Sequence, residues 1–347
     1  MTRILGFLAI HRLLLFCVAL MAIYQSLPPD APPSQKTVSA LSAHFFETVA
    51  ERPVTRALLR SASYYPSSFL DALRTPFVSV YRGFLTITHL DRVTALIVLT
   101  NLFFFLFLLE LYGLWGRQHP ADEAVRAATL VALLPTSFEM SLVSSFSLTC
   151  FLVALAVHRA VTNRWWVTGM ALGILVLSDP LNILLVPLML YLFFYFHQGQ
   201  VLKTVWKRAV VVLLPVIVAV AVDFGSFSYA WDEMQQSALF YLSQSLSGGV
   251  KQTLAHSPWG TTIVLITLAV GAVGAFLNNK SFIDKMLPAA MLVFVLLTSP
   301  FSQVTFRVPL AGICLHGVIQ LTGRPTVWIL YFVMFIMGAL EVAAVFG

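Results

Sequence analysis

The chain has 347 residues, of which 59% are hydrophobic and only 10% charged, with a formal charge of +6 and a mean hydropathy of +0.87. So few charges do not cover a water-soluble protein of this length, and the basic residues sit in short loops between apolar runs, which excludes a nucleic-acid partner as well. Apolar runs of about 20 residues recur, each long enough for a hydrocarbon core of roughly 30 Å, and predict an all-α polytopic membrane bundle.

The first run, "MTRILGFLAIHRLLLFCVALMAIY", has a basic start and an apolar stretch. No small-x-small cleavage site follows it, so residues 1–24 are expected to remain as a first transmembrane helix. Residues 25–92 form the longest stretch without a span. It opens on the proline-rich "SLPPDAPPSQK" and carries "SALSAHFFETVAERPVTRALLR" and "RTPFVSVYRGFLTITHL", whose apolar residues recur at helical spacing with charges opposite. These predict interfacial helices in an extracytoplasmic loop. Residues 93–347 form the multi-span bundle, with spans expected at 93–115, 124–138, 141–158, 165–178, 181–197, 209–224, 259–277, 286–299, 309–321 and 327–346. Several are short and meet at Pro135, Pro180 and Pro187, as broken helices lining a cavity do. Cys17, Cys150 and Cys314 all lie in apolar stretches and suit buried packing better than disulfides.

Charge placement orients the bundle. With the N-terminus cytoplasmic, the inward loops hold Arg117, Arg126, Arg159, Arg164, Lys203, Lys207, Arg208, Lys280, Lys285 and Arg324, whereas the short outward loops hold only Lys251 and Arg307. That asymmetry supports about 11 transmembrane helices with the long loop outside. Glu139, Asp179, Asp223, Asp232 and Glu233 then fall at outer helix ends, and Glu47, Glu51 and Asp71 in the outer loop. Asp122, Glu123 and Asp284 remain inside as solvated loop acids. Ionisable groups at membrane depth are costly and mark functional cavities, so a working site is expected on the outer side.

Three stretches carry candidate chemistry, each with a structural alternative. In "LLPTSFEMSLVSSFSLTCFLVALAVHR", Pro135 ends a helix, Glu139 faces an outer cavity, and Ser141, Ser144, Ser145 and Ser147 offer hydroxyls to a polar ligand. The alternative is a tight surface hairpin with packing serines. In "LSDPLNILLVPLML", Asp179 is a ligand or base at the outer mouth, or else the N-cap of a helix starting at Pro180. In "AVDFGSFSYAWDEMQQSALFYLSQS", aromatics interleave with Asp223, Asp232 and Glu233 as in a sugar or head-group surface, or as in an interfacial aromatic belt. His44 and His256 are isolated and give a divalent metal only weak support, so no metal site and no cofactor are assigned. Phosphate-binding glycine loops, Cys-x-x-Cys pairs, His-Glu-x-x-His and Gly-x-Ser-x-Gly are absent. The small residues of "TLAVGAVGAFL" suit helix packing.

The order of these stretches resembles the GT-C type glycosyltransferases of the GPI mannosyltransferase (PIG-V-like) family, most closely over residues 40–200. It comprises an N-terminal helix, a long outer loop, "TALIVLTNLFFFLFLLELYGLW", the Pro135 block, "RWWVTGMALGILVLSDPLNILLVP" and a late Arg307. The resemblance implies a transferase that takes a sugar from a polyprenyl phosphate and places it on a lipid-linked acceptor, alongside membrane lipids and a membrane partner subunit. The family's acids appear here as Ser42 in the loop and Phe146 after the proline, and its arginine before the helix-starting proline as Asp179. On this plan Glu139 becomes the acid–base residue, which would share a face with Phe146 seven residues on if the helix were continuous, and Asp71 or Glu47 becomes the loop carboxylate. Asp179, Asp223, Asp232, Glu233, Arg307, Ser144 and Ser145 line the substrate cavity. A non-catalytic lipid-binding or scaffolding relative is the alternative, and a transporter a third reading, for which no internal symmetry is seen. The expected membrane is a bacterial inner membrane or the endoplasmic reticulum, short loops favouring the former.

Overall fold

The computed structural model describes residues 2–63, 69–117, 119–179, 182–183, 185–197, 202–223, 260–278, 285, 315–321 and 324–347. The described elements are α1 (Thr2–Ser26), a 3-10 turn (Pro33–Lys36), α2 (Val38–Glu51), α3 (Pro53–Ser63), α4 (Phe69–Arg74) and α5 (Pro76–Thr88). They continue with α6 (Arg92–Trp115), α7 (Ala121–Leu133), α8 (Pro135–Leu142), α9 (Phe146–Val161), α10 (Trp165–Ser178), α11 (Leu185–Phe196) and α12 (Leu202–Val222). The last are α13 (Gly260–Asn278), α14 (Leu315–Leu321) and α15 (Arg324–Phe346). Among the described residues there is no strand. The expected all-α class holds. The expected spans at 286–299 and much of 309–321 lie outside the described residues.

Three helices, Thr2–Ser26, Arg92–Trp115 and Pro325–Phe346, are long and apolar enough to cross a membrane, and shorter apolar helices surround them. Their exposed faces carry Ile10, Leu13 and Met21 on α1, Val210, Leu214 and Ile217 on α12, and Trp328, Ile329 and Phe332 on α15. Apolar side chains outside as well as inside fit a protein whose solvent is lipid.

Local chemistry sets the element ends. Asp91 accepts from the Thr94 N–H at 2.9 Å and caps α6. Hydrogen bonding from the Thr94 side chain, and then from its backbone N–H, holds the Asp91 carboxyl below its ordinary value. The cap therefore contributes stability above the ordinary carboxylate range and loses it as pH falls through the lowered value. Asp91→Ala is expected to cost about 1 kcal/mol by thermal melting in detergent at neutral pH. Acidification below the carboxylate range should bring variant and wild type together. Pro135 has no N–H and starts α8 after Leu134 has left helical geometry at φ −51° and ψ 133°. Val143, at φ −150° and ψ 113°, breaks the chain again before α9. Glu139 and Phe146 thus fall on separate helices, so the continuous helix that would give them a common face is not formed.

α6 forms the middle of the bundle. Its Phe104, Phe107, Leu108 and Leu111 are buried against α7 and α9, and its first half packs with α1, α2 and α5. Arg12, buried in α1, donates to the Ser137 carbonyl oxygen at 3.1 Å and stands over the Phe104 ring at 5.1 Å. It ties α1 to the broken α7–α8 segment. On the other flank α10 presents Gly169 and Gly173 to α12. An added Cβ would lie 2.8 Å from the Val211 carbonyl oxygen at the first and 2.9 Å from Pro215 Cβ at the second. The two backbones meet because no side chain intervenes. Gly169→Val is expected to force them apart at a cost of about 1–3 kcal/mol, read as a lower melting temperature in detergent. The small-residue stretch of α13 behaves as expected: an added Cβ on Gly274 would overlap the Gly317 carbonyl of α14.

Candidate functional site

The short helices α3, α4 and α5 gather at one end of the bundle, against the C-terminal end of α10. Their corner is fixed locally. Ser79 Oγ donates to the Ala72 carbonyl oxygen at 2.9 Å, which folds α5 back on α4. Arg74, the last residue of α4, reaches the end of α12, where Nη2 donates to the Val222 carbonyl oxygen at 3.2 Å and to Asp223 Oδ1 at 3.0 Å. Between this corner and α9–α10 lies a cavity of about 420 Å³. Arg74, Thr75, Ser145, Phe146, Thr149 and Asp179 contribute its chemistry, with Leu58, Phe77, Leu148 and Leu152 as apolar walls. Small-molecule sites typically hold roughly 300–1,000 Å³ and combine apolar walls with a few convergent polar groups. A cation, a carboxylate and five hydroxyls, those of Ser61, Thr75, Ser145, Thr149 and Ser178, on one concave surface suit a phosphorylated, hydroxyl-rich ligand.

The candidates from the sequence distribute unevenly about this cavity. Asp179 and Ser145 line it. Asp223 adjoins it through Arg74. Asp179 closes α10, its N–H donating to the Leu175 carbonyl oxygen at 3.0 Å, and its own carbonyl oxygen accepts from the Asn182 N–H at 3.0 Å. Residues 180–181, where a helix starting at Pro180 would begin, lie outside the described residues. Ser144 spends its hydroxyl on the Phe146 N–H at 3.1 Å. Ser141 and Ser147 donate back to the carbonyls of Ser137 and Ser144 at 2.8 and 2.9 Å. These three serines hydrogen-bond to the backbone. Glu47 is exposed on α2 and stands 3.8 Å from His44, a surface pair away from the cavity lining. Glu139 falls in α8 and Asp71 in α4, one turn before Arg74. Asp232, Glu233, Arg307 and His256 lie outside the described residues. Of the two positions matched to the family's acids, Phe146 lines the cavity and Ser42, on α2, does not.

Two groups escaped the sequence reading. Arg74 was one basic residue among several in an amphipathic pattern, and nothing in the spacing marks its reach to α12. Glu110, inside the apolar α6, accepts from His158 Nδ1 at 2.5 Å and from Arg159 Nη2 at 2.9 Å. Gly113, one turn on, makes room for the imidazole, since an added Cβ would stand 2.7 Å from His158 Cε1. A second cavity, of about 340 Å³, holds Tyr81, Arg82 and Arg92. There Arg82 is engaged in holding the Ala62 and Ser61 carbonyl oxygens at 2.9 and 3.0 Å, and Tyr81 donates to the Arg92 carbonyl oxygen at 3.1 Å. Burial pushes the Tyr81 hydroxyl above its ordinary value, which keeps it a donor.

Comparison of the chain with protein-family models, with curated proteins and with solved structures gives no match.

Proposed function

We propose that the chain is an integral membrane transferase-like protein that binds a polyprenyl-phosphate-linked sugar, with the cavity between α3–α5 and α9–α10 as its donor site. The observation that carries this reading is the convergence of Arg74 and Asp179 on one 420 Å³ cavity at the loop-helix end of an apolar bundle. In the topology of about 11 spans that charge asymmetry favours, this end is extracytoplasmic, and the opposite end, with Arg3, Arg126 and Arg324, is cytoplasmic.

The chemistry follows from the groups present. Transfer from a sugar phosphate releases a phosphate whose growing negative charge needs a cation, and the acceptor hydroxyl must lose a proton as the glycosidic bond forms. Arg74 supplies the cation. Its bond to Asp223 fixes the guanidinium in place and moderates its charge, so the site holds a phosphate without trapping the product. Asp179 takes the acceptor proton. The hydroxyls of Ser145 and Thr149 orient the sugar, and Phe146 gives its ring an apolar face to lie on. In this assignment Asp179 moves from substrate binding to acid–base work, a role the sequence had given to Glu139.

One observation favours a second reading. Phe146 occupies the cavity where the resembling family carries a glutamate, and an apolar ring there suits a site that holds a lipid-linked sugar without turning it over.

The test is purified protein in detergent or nanodiscs with polyprenyl-phosphate mannose, following both donor binding and release of polyprenyl phosphate. Arg74→Gln is expected to weaken donor binding by at least about tenfold, the loss of one charge-assisted contact. Donor binding that depends on Arg74, without release, selects the second reading. Donor binding indifferent to Arg74 overturns both.

A further inference from the structure

At the end of the bundle away from the cavity, three side chains from distant parts of the chain converge. His119 lies in the turn between α6 and α7, Glu123 in the first turn of α7, and His316 in α14, which packs on α7. One potential ligand atom from each lies within 4.8 Å of the other two. Glu123 Oε2 is 4.0 Å from both His119 Nδ1 and His316 Nε2. The two imidazoles lie with ring centroids 3.8 Å apart and planes tilted by 44°, and the Trp115 ring lies 5.8 Å from that of His316.

Two details set this group apart from a solvated acid with basic neighbours, the reading the sequence gave for Glu123. His316 is 3% exposed, and its Nε2 is buried with no hydrogen-bond partner while facing the Glu123 carboxylate. Such a nitrogen is a cost that folding ordinarily removes. His119 Nδ1 lies 3.4 Å from Gln320 Nε2. This places the Gln320 amide beside the cluster.

We propose that His119, Glu123 and His316 bind one divalent first-row transition ion of the zinc class. Two imidazole nitrogens and one carboxylate form a ligand set suited to borderline-soft cations over magnesium or calcium. A tetrahedral ion with bonds of about 2.0–2.1 Å holds its ligand atoms roughly 3.3 Å apart, so the present spacing closes by small rotamer changes. The carboxylate offsets part of the ion's charge, and water or the Gln320 side chain completes the sphere. Bound there, the ion clamps α14 to the corner between α6 and α7. The site is remote from the sugar-phosphate cavity, and its existence does not depend on any transferase activity.

The test uses the full chain, free of any histidine tag, purified in detergent and stripped with a chelator. Titration with Co2+ is expected to give visible d–d absorption saturating at one ion per chain, bleached by Zn2+. Zn2+ should raise the melting temperature and Mg2+ should not. His316→Gln and Glu123→Gln are expected to lower Co2+ affinity at least about tenfold, the least that loss of even an outer-shell partner costs. His119→Gln, at the most accessible of the two histidines, serves if the buried variant fails to elute as a monodisperse species. Co2+ uptake that survives all three substitutions, no specific uptake by wild type, or equal stabilisation by Mg2+ and Zn2+ each overturns the proposal.

Discussion

Asp179→Asn is expected to reduce sugar transfer from a polyprenyl phosphate by roughly 10²–10⁴-fold while leaving donor affinity within a factor of a few. The substitution keeps the shape and hydrogen-bonding reach of the side chain but removes its capacity to take a proton. A group that acts only as the bond forms lowers kcat and kcat/KM together, whereas a group that merely binds donor raises KM. The backbone role of residue 179, closing α10 through its N–H to Leu175, is the same for Asn. Melting temperature is therefore expected to stay close to that of wild type. Single-turnover assays on nanodisc-embedded protein decide the matter. Turnover at the wild-type rate removes Asp179 from the chemistry, and turnover lost together with donor binding makes it a binding residue only.

The second large effect concerns stability. Glu110→Leu is expected to cost about 3 kcal/mol, because it leaves Arg159 and His158 largely desolvated with no carboxylate between them. The side chains of Glu110, His158 and Arg159 are 14%, 13% and 24% exposed, so some water reaches the guanidinium and the lower end of the range for broken buried pairs applies. Removing the charges together tests the cause. Glu110→Leu with Arg159→Leu is expected to recover most of the loss, since replacing a whole buried pair by apolar groups is often neutral. Denaturation in mixed micelles measures both. A double variant no better than Glu110→Leu alone would show that packing around Gly113 and His158, and not the ion pair, holds α6 to α9.

What was legible in the sequence is what is local. The alternation of apolar runs and basic loops gave the helical class. Pro135 marks a break because a missing N–H acts at its own position whatever surrounds it. Asp179 and Ser145, two of the candidates, line one cavity. Distant pairing was not legible. Glu110 stands in "FLLELYGLW" with no sign that its partners are His158 and Arg159, and Glu123 gives no hint of His316. Hydroxyls misled for a related reason. Ser141, Ser144 and Ser147 looked like a ligand-binding row, but serine in or beside a helix finds a backbone partner within four residues before any ligand arrives.

The shortness of α10 has a consequence for the lipid around it. Its 14 residues rise about 21 Å, against a hydrocarbon thickness of roughly 30 Å. Its exposed Trp166 and Met170 leave lipid tails in contact with a helix that ends early. On the membrane reading proposed above, a bilayer thins around α10 to match, at a modest cost per ångström, and brings its head groups down toward Asp179 and the cavity mouth. The long-tailed phosphate lipid proposed as donor would then enter the pocket sideways within its own leaflet.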